Sequence, residues 1–297
     1  TGITVTGEVA SSQDYPNFRP TLDFNFAAEK KLDPRITYQR TGTASFVNEF
    51  GKVVLVGDNA PRFDHDPTTR ECKGLLIEES RTNSWTYSQP TSAASFGANG
   101  TFTYEAATAP NGKTEAFRLA NNPAASSNSY HRATRAITFG SNSMVLSVWA
   151  KGENGNNYFI WSFQNLGGAI VRAGFKLEGD GETSIVTNGN GGHTLQIQKY
   201  PDGWYRCIII ANTQSSGSTT QFLYTASGYS ESSSLTGGST LLWGFQLEVG
   251  SFATSYIPTD STSTTRGYEA PTLEGTEFSD VFGTEFKEFS LVADYDN

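Results

Sequence analysis

Between Phe102 and Glu248 the chain repeats one pattern: a short run in which apolar and polar residues alternate, then a break rich in glycine or serine. The runs are Phe102–Glu105, Glu115–Ala120, Tyr130–Thr138, Ser143–Lys151, Tyr158–Gln164, Val171–Leu177, Thr194–Lys199, Trp204–Ala211, Thr219–Ala226 and Thr240–Glu248. Gly152–Gly155, Gly179–Gly181 and Gly189–Gly192 separate several of them. A period of two sends successive side chains to opposite faces of a sheet, and runs this short suit strands better than helices. Their length and spacing predict an all-β fold, a two-sheet antiparallel jelly-roll sandwich.

Single strands also predict their faces. In Ser143–Lys151, Met144, Leu146, Val148 and Ala150 form an apolar side, opposite a wetter side with Ser147, Trp149 and Lys151. In Tyr158–Gln164, Phe159, Trp161 and Phe163 share one face, read as core. In Thr240–Glu248, Leu241, Trp243, Phe245 and Leu247 alternate with Leu242, Gly244, Gln246 and Glu248, giving one apolar and one mixed face. Trp204 and Arg206 share a side of their strand, where Arg206 is expected to pair with a buried carboxylate or stack on an aromatic ring.

Composition agrees with this class and narrows the partners. Charged residues make up 17% and aromatics 13% of 297 residues, with 30 glycines, a profile of strands and loops in one large or two modest domains. A net charge of −9 argues against nucleic acid, because phosphate binding needs a basic surface. No run approaches the roughly 18 apolar residues of a membrane span, so no membrane insertion is expected. The first residues, TGITVTGEVASS, lack the basic and apolar regions of a signal peptide.

Four segments follow. Residues 1–21 are polar and read as an arm or linker. Residues 22–84 form a small β-rich leader unit, with a strand over Leu22–Phe26 and a hairpin of Thr43–Val47 and Lys52–Val56 around Asn48–Gly51. Leu75–Ile77 reads as a buried strand, after which Glu78, Glu79 and Arg81 return the chain to a polar surface. A unit this small is marginal alone and is expected to dock on the sandwich or on another subunit. Residues 85–259 form the sandwich, and 260–297 a linker with the start of a further β domain. Lys287–Asn297 reads as a strand entering that domain, so the sequence is expected to be part of a longer polypeptide; the alternative is a last strand pairing with the sandwich. Cys72 and Cys207 are read as free thiols, Cys207 as a small buried hydrophobe.

Catalytic signatures are missing from the sequence. His65, His131 and His193 have no partner at metal-ligand spacing, and there is no GxSxG elbow, P-loop or dinucleotide fingerprint. The ExDxE triplet of laminarinase-type glycosidases does not occur; two isolated carboxylates could pair in space, but the sequence singles out no pair. The expectation is a protein that is not an enzyme. Sugar binding needs an aromatic platform beside amides and charged donors. Trp149 and Lys151 on one strand, and Gln246 and Glu248 on another, are the candidate residues. The alternatives are a Trp covering a sheet edge or packing under a loop, and structural hydrogen bonding by Gln246 and Glu248. Glu178, Asp180 and Glu182 in one acidic turn are the candidate ligands for Ca²⁺, the one cofactor considered; Asp64 and Asp66 offer two further carboxylates.

Two strings carry a family resemblance: Pro61–Asn83, PRFDHDPTTRECKGLLIEESRTN, and Gln246–Thr259, QLEVGSFATSYIPT. The first resembles a segment of tailed-bacteriophage virion proteins, especially tail fibres and other appendages, where it precedes a carbohydrate-binding-module-like jelly roll. The second is similar to the end of that sandwich, and the resemblance spans Leu22–Thr265. In such modules the GxQxE-like pattern recurs whatever the ligand, which implies a structural part for Gln246 and Glu248. The resemblance implies a virion protein assembled in the reducing host cytoplasm, a homotrimer bound to other virion proteins, and a host surface glycan as partner. A capsid decoration or connector with a purely structural role is the alternative, and a glycan-processing enzyme with an accessory module is a third.

Overall fold

Each of the ten runs between Phe102 and Glu248 overlaps a strand in the computed structural model, which describes residues 24–91, 97–98, 101–120, 132–139, 143–166, 169–188, 192–211, 217–230, 238–273 and 289–290. The segment 1–21 lies outside these residues. The leader comprises α1 (Phe26–Glu29), β1 (Ile36–Gln39), β2 (Ala44–Val47), β3 (Val53–Val56), β4 (Phe63–His65), β5 (Cys72–Leu75) and β6 (Arg81–Asn83). The central strands are β7 (Gly97–Ala98), β8 (Thr101–Thr108), β9 (Thr114–Ala120), β10 (Arg132–Phe139), β11 (Met144–Glu153) and β12 (Tyr158–Leu166). They continue with β13 (Ala169–Lys176), β14 (Glu182–Asn188), β15 (His193–Lys199), β16 (Tyr205–Ala211), β17 (Gly217–Ala226) and β18 (Ser239–Val249). Last come β19 (Thr264–Arg266), β20 (Ala270–Leu273) and β21 (Phe289–Ser290).

The central strands form two six-stranded antiparallel sheets, in the orders β14-β13-β12-β17-β10-β7 and β15-β16-β11-β18-β9-β8. One apolar cluster joins them. Phe159, Trp161, Phe163, Val171, Ala173, Phe175 and Leu223 come from the first sheet, and Met144, Leu146, Val148, Ala150, Cys207, Ile209 and Phe245 from the second. A sandwich results, with the predicted inward faces of β11 and β12 in its core. Each large side chain so buried contributes roughly 1.5–3 kcal/mol. Trp161 keeps its ring nitrogen satisfied by donating to Gln221 Oε1 at 2.6 Å. Cys72 and Cys207 are free, and Cys207 is fully buried.

Three expectations change. The run Leu22–Phe26 alternates like a strand, yet its described part leads into a helical turn. Asn25 caps α1 by accepting from Ala28 N at 3.1 Å, and the rings of Phe24 and Phe26 stack at 5.5 Å. β5 stops at Leu75, leaving Leu76 and Ile77 half-buried, and Glu78 and Arg81, each 9% exposed, turn inward instead of reaching a polar surface. The uniform alternation over Thr240–Glu248 is broken by a bulge. Ser147 pairs with Gln246 but Trp149 with Trp243, so β18 carries one extra residue there. Gly244, at φ +70°, takes the left-handed position the bulge requires. Leu242 therefore faces the core before the bulge, and Phe245 and Leu247 face it afterwards, while Leu241 and Trp243 point outward. β14, absent from the predicted runs, is an edge strand whose Ile185 is 42% exposed.

The leader and the chain beyond residue 260 are interleaved. β6 pairs with β19, and β1 with β20, which in turn pairs with β21. The predicted hairpin forms as β2–β3, closed by Asn48 N donating to Lys52 O at 2.9 Å.

Candidate functional site

β11 and β18 place the predicted sugar residues on the outer face of the second sheet, and the leader covers that face. Val47 and Val53 of the leader join Trp149, Tyr200, Trp204, Leu241, Trp243 and Tyr256 in a second apolar cluster. Trp149 is 1% exposed. Its ring meets Trp243, Tyr200 and Tyr256 edge-on at centroid distances of 5.2, 5.7 and 5.8 Å, and the Arg206 guanidinium lies 4.6 Å over it. Arg206 is held there by Ser147 Oγ at 3.0 Å and Thr254 O at 2.7 Å. A ring enclosed this way offers no open face to a sugar.

Gln246 and Glu248, also buried, share a small hydrogen-bond system. Gln246 Nε2 donates to Glu248 Oε1 at 2.9 Å, and Gln246 Oε1 accepts from Ile257 N at 2.8 Å. Glu248 accepts from Thr254 N at 2.9 Å and Thr254 Oγ1 at 2.6 Å. Together they fasten the segment 254–257 across the sheet. Lys151, half-buried, runs beside Gly203. In the acidic turn, Asp180 lies 3.2 Å from Lys199 Nζ and Glu182 2.5 Å from Lys176 Nζ. Among the described residues no group of three or more His, Cys, Asp or Glu is arranged to hold a metal ion.

The densest chemistry lies where leader, sandwich and the 254–269 segment meet. Arg40, Arg62 and Arg266 converge on Glu78 and Glu269, all buried. Glu78 Oε2 lies 2.8 Å from Arg62 and 2.6 Å from Arg266, while Ser255 donates to the same carboxylate from N at 2.7 Å and Oγ at 2.6 Å. Glu269 bonds Arg62, stands 3.2 Å from Arg40 Nε, and accepts from Glu78 N at 2.7 Å. Burial pushes the Glu78 carboxyl up, but Arg266 and Arg62 outweigh that and hold it below the usual carboxylate range. A carboxylate kept ionised and saturated with donors braces; it does not shuttle protons.

Beside this network is a cavity of about 120 Å³ lined from both units, by Asp64, His65 and Glu78 of the leader and Trp149, Tyr200 and Arg206 of the sandwich. Burial raises the Asp64 carboxyl although Val47 N donates to it at 2.7 Å. At that size the cavity suits a few waters and falls below the ~300 Å³ of ordinary ligand pockets.

Asn83, the last residue of the first family-like string, bonds directly to the second. Its Nδ2 donates to Phe245 O at 3.0 Å and Ile257 O at 2.8 Å, and its Oδ1 accepts from Leu247 N at 3.0 Å. Sequence reasoning missed Arg62, Glu78, Arg266 and Glu269, since single charges beside turns look like surface until distant segments meet. The available signal was Glu78 directly after Leu75–Ile77, with no polar residue between. No protein-family model matches the sequence, and no curated protein matches it.

Proposed function

We propose that the chain is a structural component of a tailed-phage particle, a tail-fibre or appendage subunit. It attaches to glycans on the host surface by binding, without catalysis, and assembles with other virion proteins as a homotrimer. One observation supports this reading most. The two strings that resemble appendage proteins are knit together by Asn83, and their residues Glu78 and Ser255 share the buried ionic network. A recurrent segment that serves as a joint suits a family whose members share architecture and differ in task. The sandwich is accordingly read as a carbohydrate-binding-module-like jelly roll, stiffened from one side by the leader.

A connector or capsid decoration is the second reading, favoured by the burial of Trp149, Gln246 and Glu248. A printed glycan array probed with the full chain, including host-type lipopolysaccharide glycans, separates the two. Saturable binding supports attachment; signal at background on every glycan leaves the connector. Sedimentation at three times the chain mass is the expected oligomer result, and a monomer would remove the trimer.

A further inference from the structure

An open groove of about 580 Å³ runs between the end of β1 and the chain that joins β19 to β20. Its volume falls within the ~300–1,000 Å³ of small-molecule sites. Gln39 and Asn59 supply primary amides to it, Thr41, Ser80 and Thr265 supply hydroxyls, and Tyr268 supplies a ring. Tyr268 is 66% exposed, and among the described residues its ring makes no aromatic contact and its hydroxyl no hydrogen bond. A large apolar ring left to solvent beside paired amides and hydroxyls is an arrangement with unspent binding capacity.

The walls are fixed before any ligand arrives. Gly267 N donates to Thr41 O at 2.8 Å, and a Cβ on Gly267 would stand 2.5 Å from Thr41 Oγ1, so the two chain segments touch. Asn59 and Arg40 exchange two hydrogen bonds, Asn59 N to Arg40 O and Arg40 N to Asn59 Oδ1, both at 2.9 Å. Tyr268 is followed at once by Glu269, which is anchored in the ionic network. Rigid walls lower the ordering cost of binding. Charge at the floor is consumed: the Arg40 side chain is 0% exposed and its guanidinium is held by Gly42 O, Gly57 O, Ala60 O and Glu269. The groove therefore presents a ring, amides and hydroxyls without an available cation.

From this we infer that the groove is a binding site for a neutral saccharide, with a sugar face stacked on Tyr268 and its hydroxyls bonded by Gln39 and Asn59. The inference rests on the attachment reading and names the place and chemical class of its contact. It is tested on a printed array of neutral oligosaccharides and their sialylated or phosphorylated counterparts, using the full chain and three variants, Tyr268→Ala, Tyr268→Phe and Gln39→Ala. Both residues are exposed, and among the described residues neither side chain is hydrogen-bonded, so unfolding midpoints matching wild type confirm intact folds. Expected are binding to neutral glycans, a loss of about tenfold or more in affinity for Tyr268→Ala, a smaller loss for Gln39→Ala, and retention by Tyr268→Phe. Neutral-glycan binding unaltered by Tyr268→Ala overturns the groove and leaves attachment standing. Binding to charged glycans alone overturns the neutral class. A wild-type chain that binds no glycan sinks the attachment reading, and this site with it.

Discussion

Replacing Glu78 by glutamine tests the central joint. The substitution keeps the shape but removes the charge facing Arg62 and Arg266, and an amide cannot accept all the bonds now made by Ser255 N, Ser255 Oγ and the two guanidiniums. Leaving buried charges without their partner costs about 3–5 kcal/mol. Against a total stability of about 5–15 kcal/mol for ordinary domains, that is a large share. With a urea slope of about 2–3 kcal/mol/M, the midpoint should fall by roughly 1–2 M. Trp149, Trp204 and Trp243 lie in the cluster beneath the leader, so undocking registers in tryptophan fluorescence even where the sandwich core persists. A double-mutant cycle with Arg266→Met refines the result. Taking away one stranded guanidinium should make the double variant less damaged than the sum of the two singles. If Glu78→Gln stays within about 0.5 kcal/mol of wild type, as a surface change would, the joint does not hold the units together.

Acid should loosen the same joint. Glu78 titrates below its ordinary value when folded, so its stabilisation is complete above that value and is lost as pH falls through the depressed folded pKa. Limited proteolysis of the leader should accelerate on acidification below the usual carboxylate range and stay flat from there to neutral pH; equal cleavage throughout would contradict this. Gly244→Ala forces a side chain into a left-handed position with its Cβ 2.9 Å from the Trp149 ring, and should cost about 1–3 kcal/mol by urea unfolding. Trp149→Ala should cost about 3–5 kcal/mol, whereas a solvent-facing platform would lose almost nothing. Of the two thiols, half-buried Cys72 should react with a disulfide reagent in the native protein, while Cys207, fully buried with its pKa pushed well above normal, should react only after unfolding.

Strand-level features were legible because period-two patterning is local. Met144, Leu146, Val148 and Ala150 face the core as the alternation requires, and Arg206 stacks on an aromatic ring as its position suggested. What alternation conveys is which side a residue points to, not what lies over that side. Alternation puts Trp149 on the face away from the core, and it is there; the leader on top turns a wet face into a second interior. β18 shows a related limit, since one added residue at Gly244 reverses the phase without leaving a mark in the apolar pattern. β14 escapes the alternation because a Thr/Ser-rich edge strand exposed on one side resembles a loop. Glu78, Arg266 and Glu269 are joined across about 190 positions, in bonds that only tertiary structure reveals. The groove at Tyr268 draws on four separate stretches of chain for the same reason.

The pairing of β6 with β19 has a mechanical corollary. The polypeptide enters the sandwich just after Asn83 and leaves it just before Thr264, and these two residues face each other across the ladder. The whole sandwich thus hangs as a closed loop from a clasp. Tension drawn along the backbone would peel that clasp one rung at a time, starting at the Arg81–Arg266 rung, where the guanidinium of Arg266 grips Glu78. Until it opened, pulling force would bypass the loop, and the sandwich would feel no stretch.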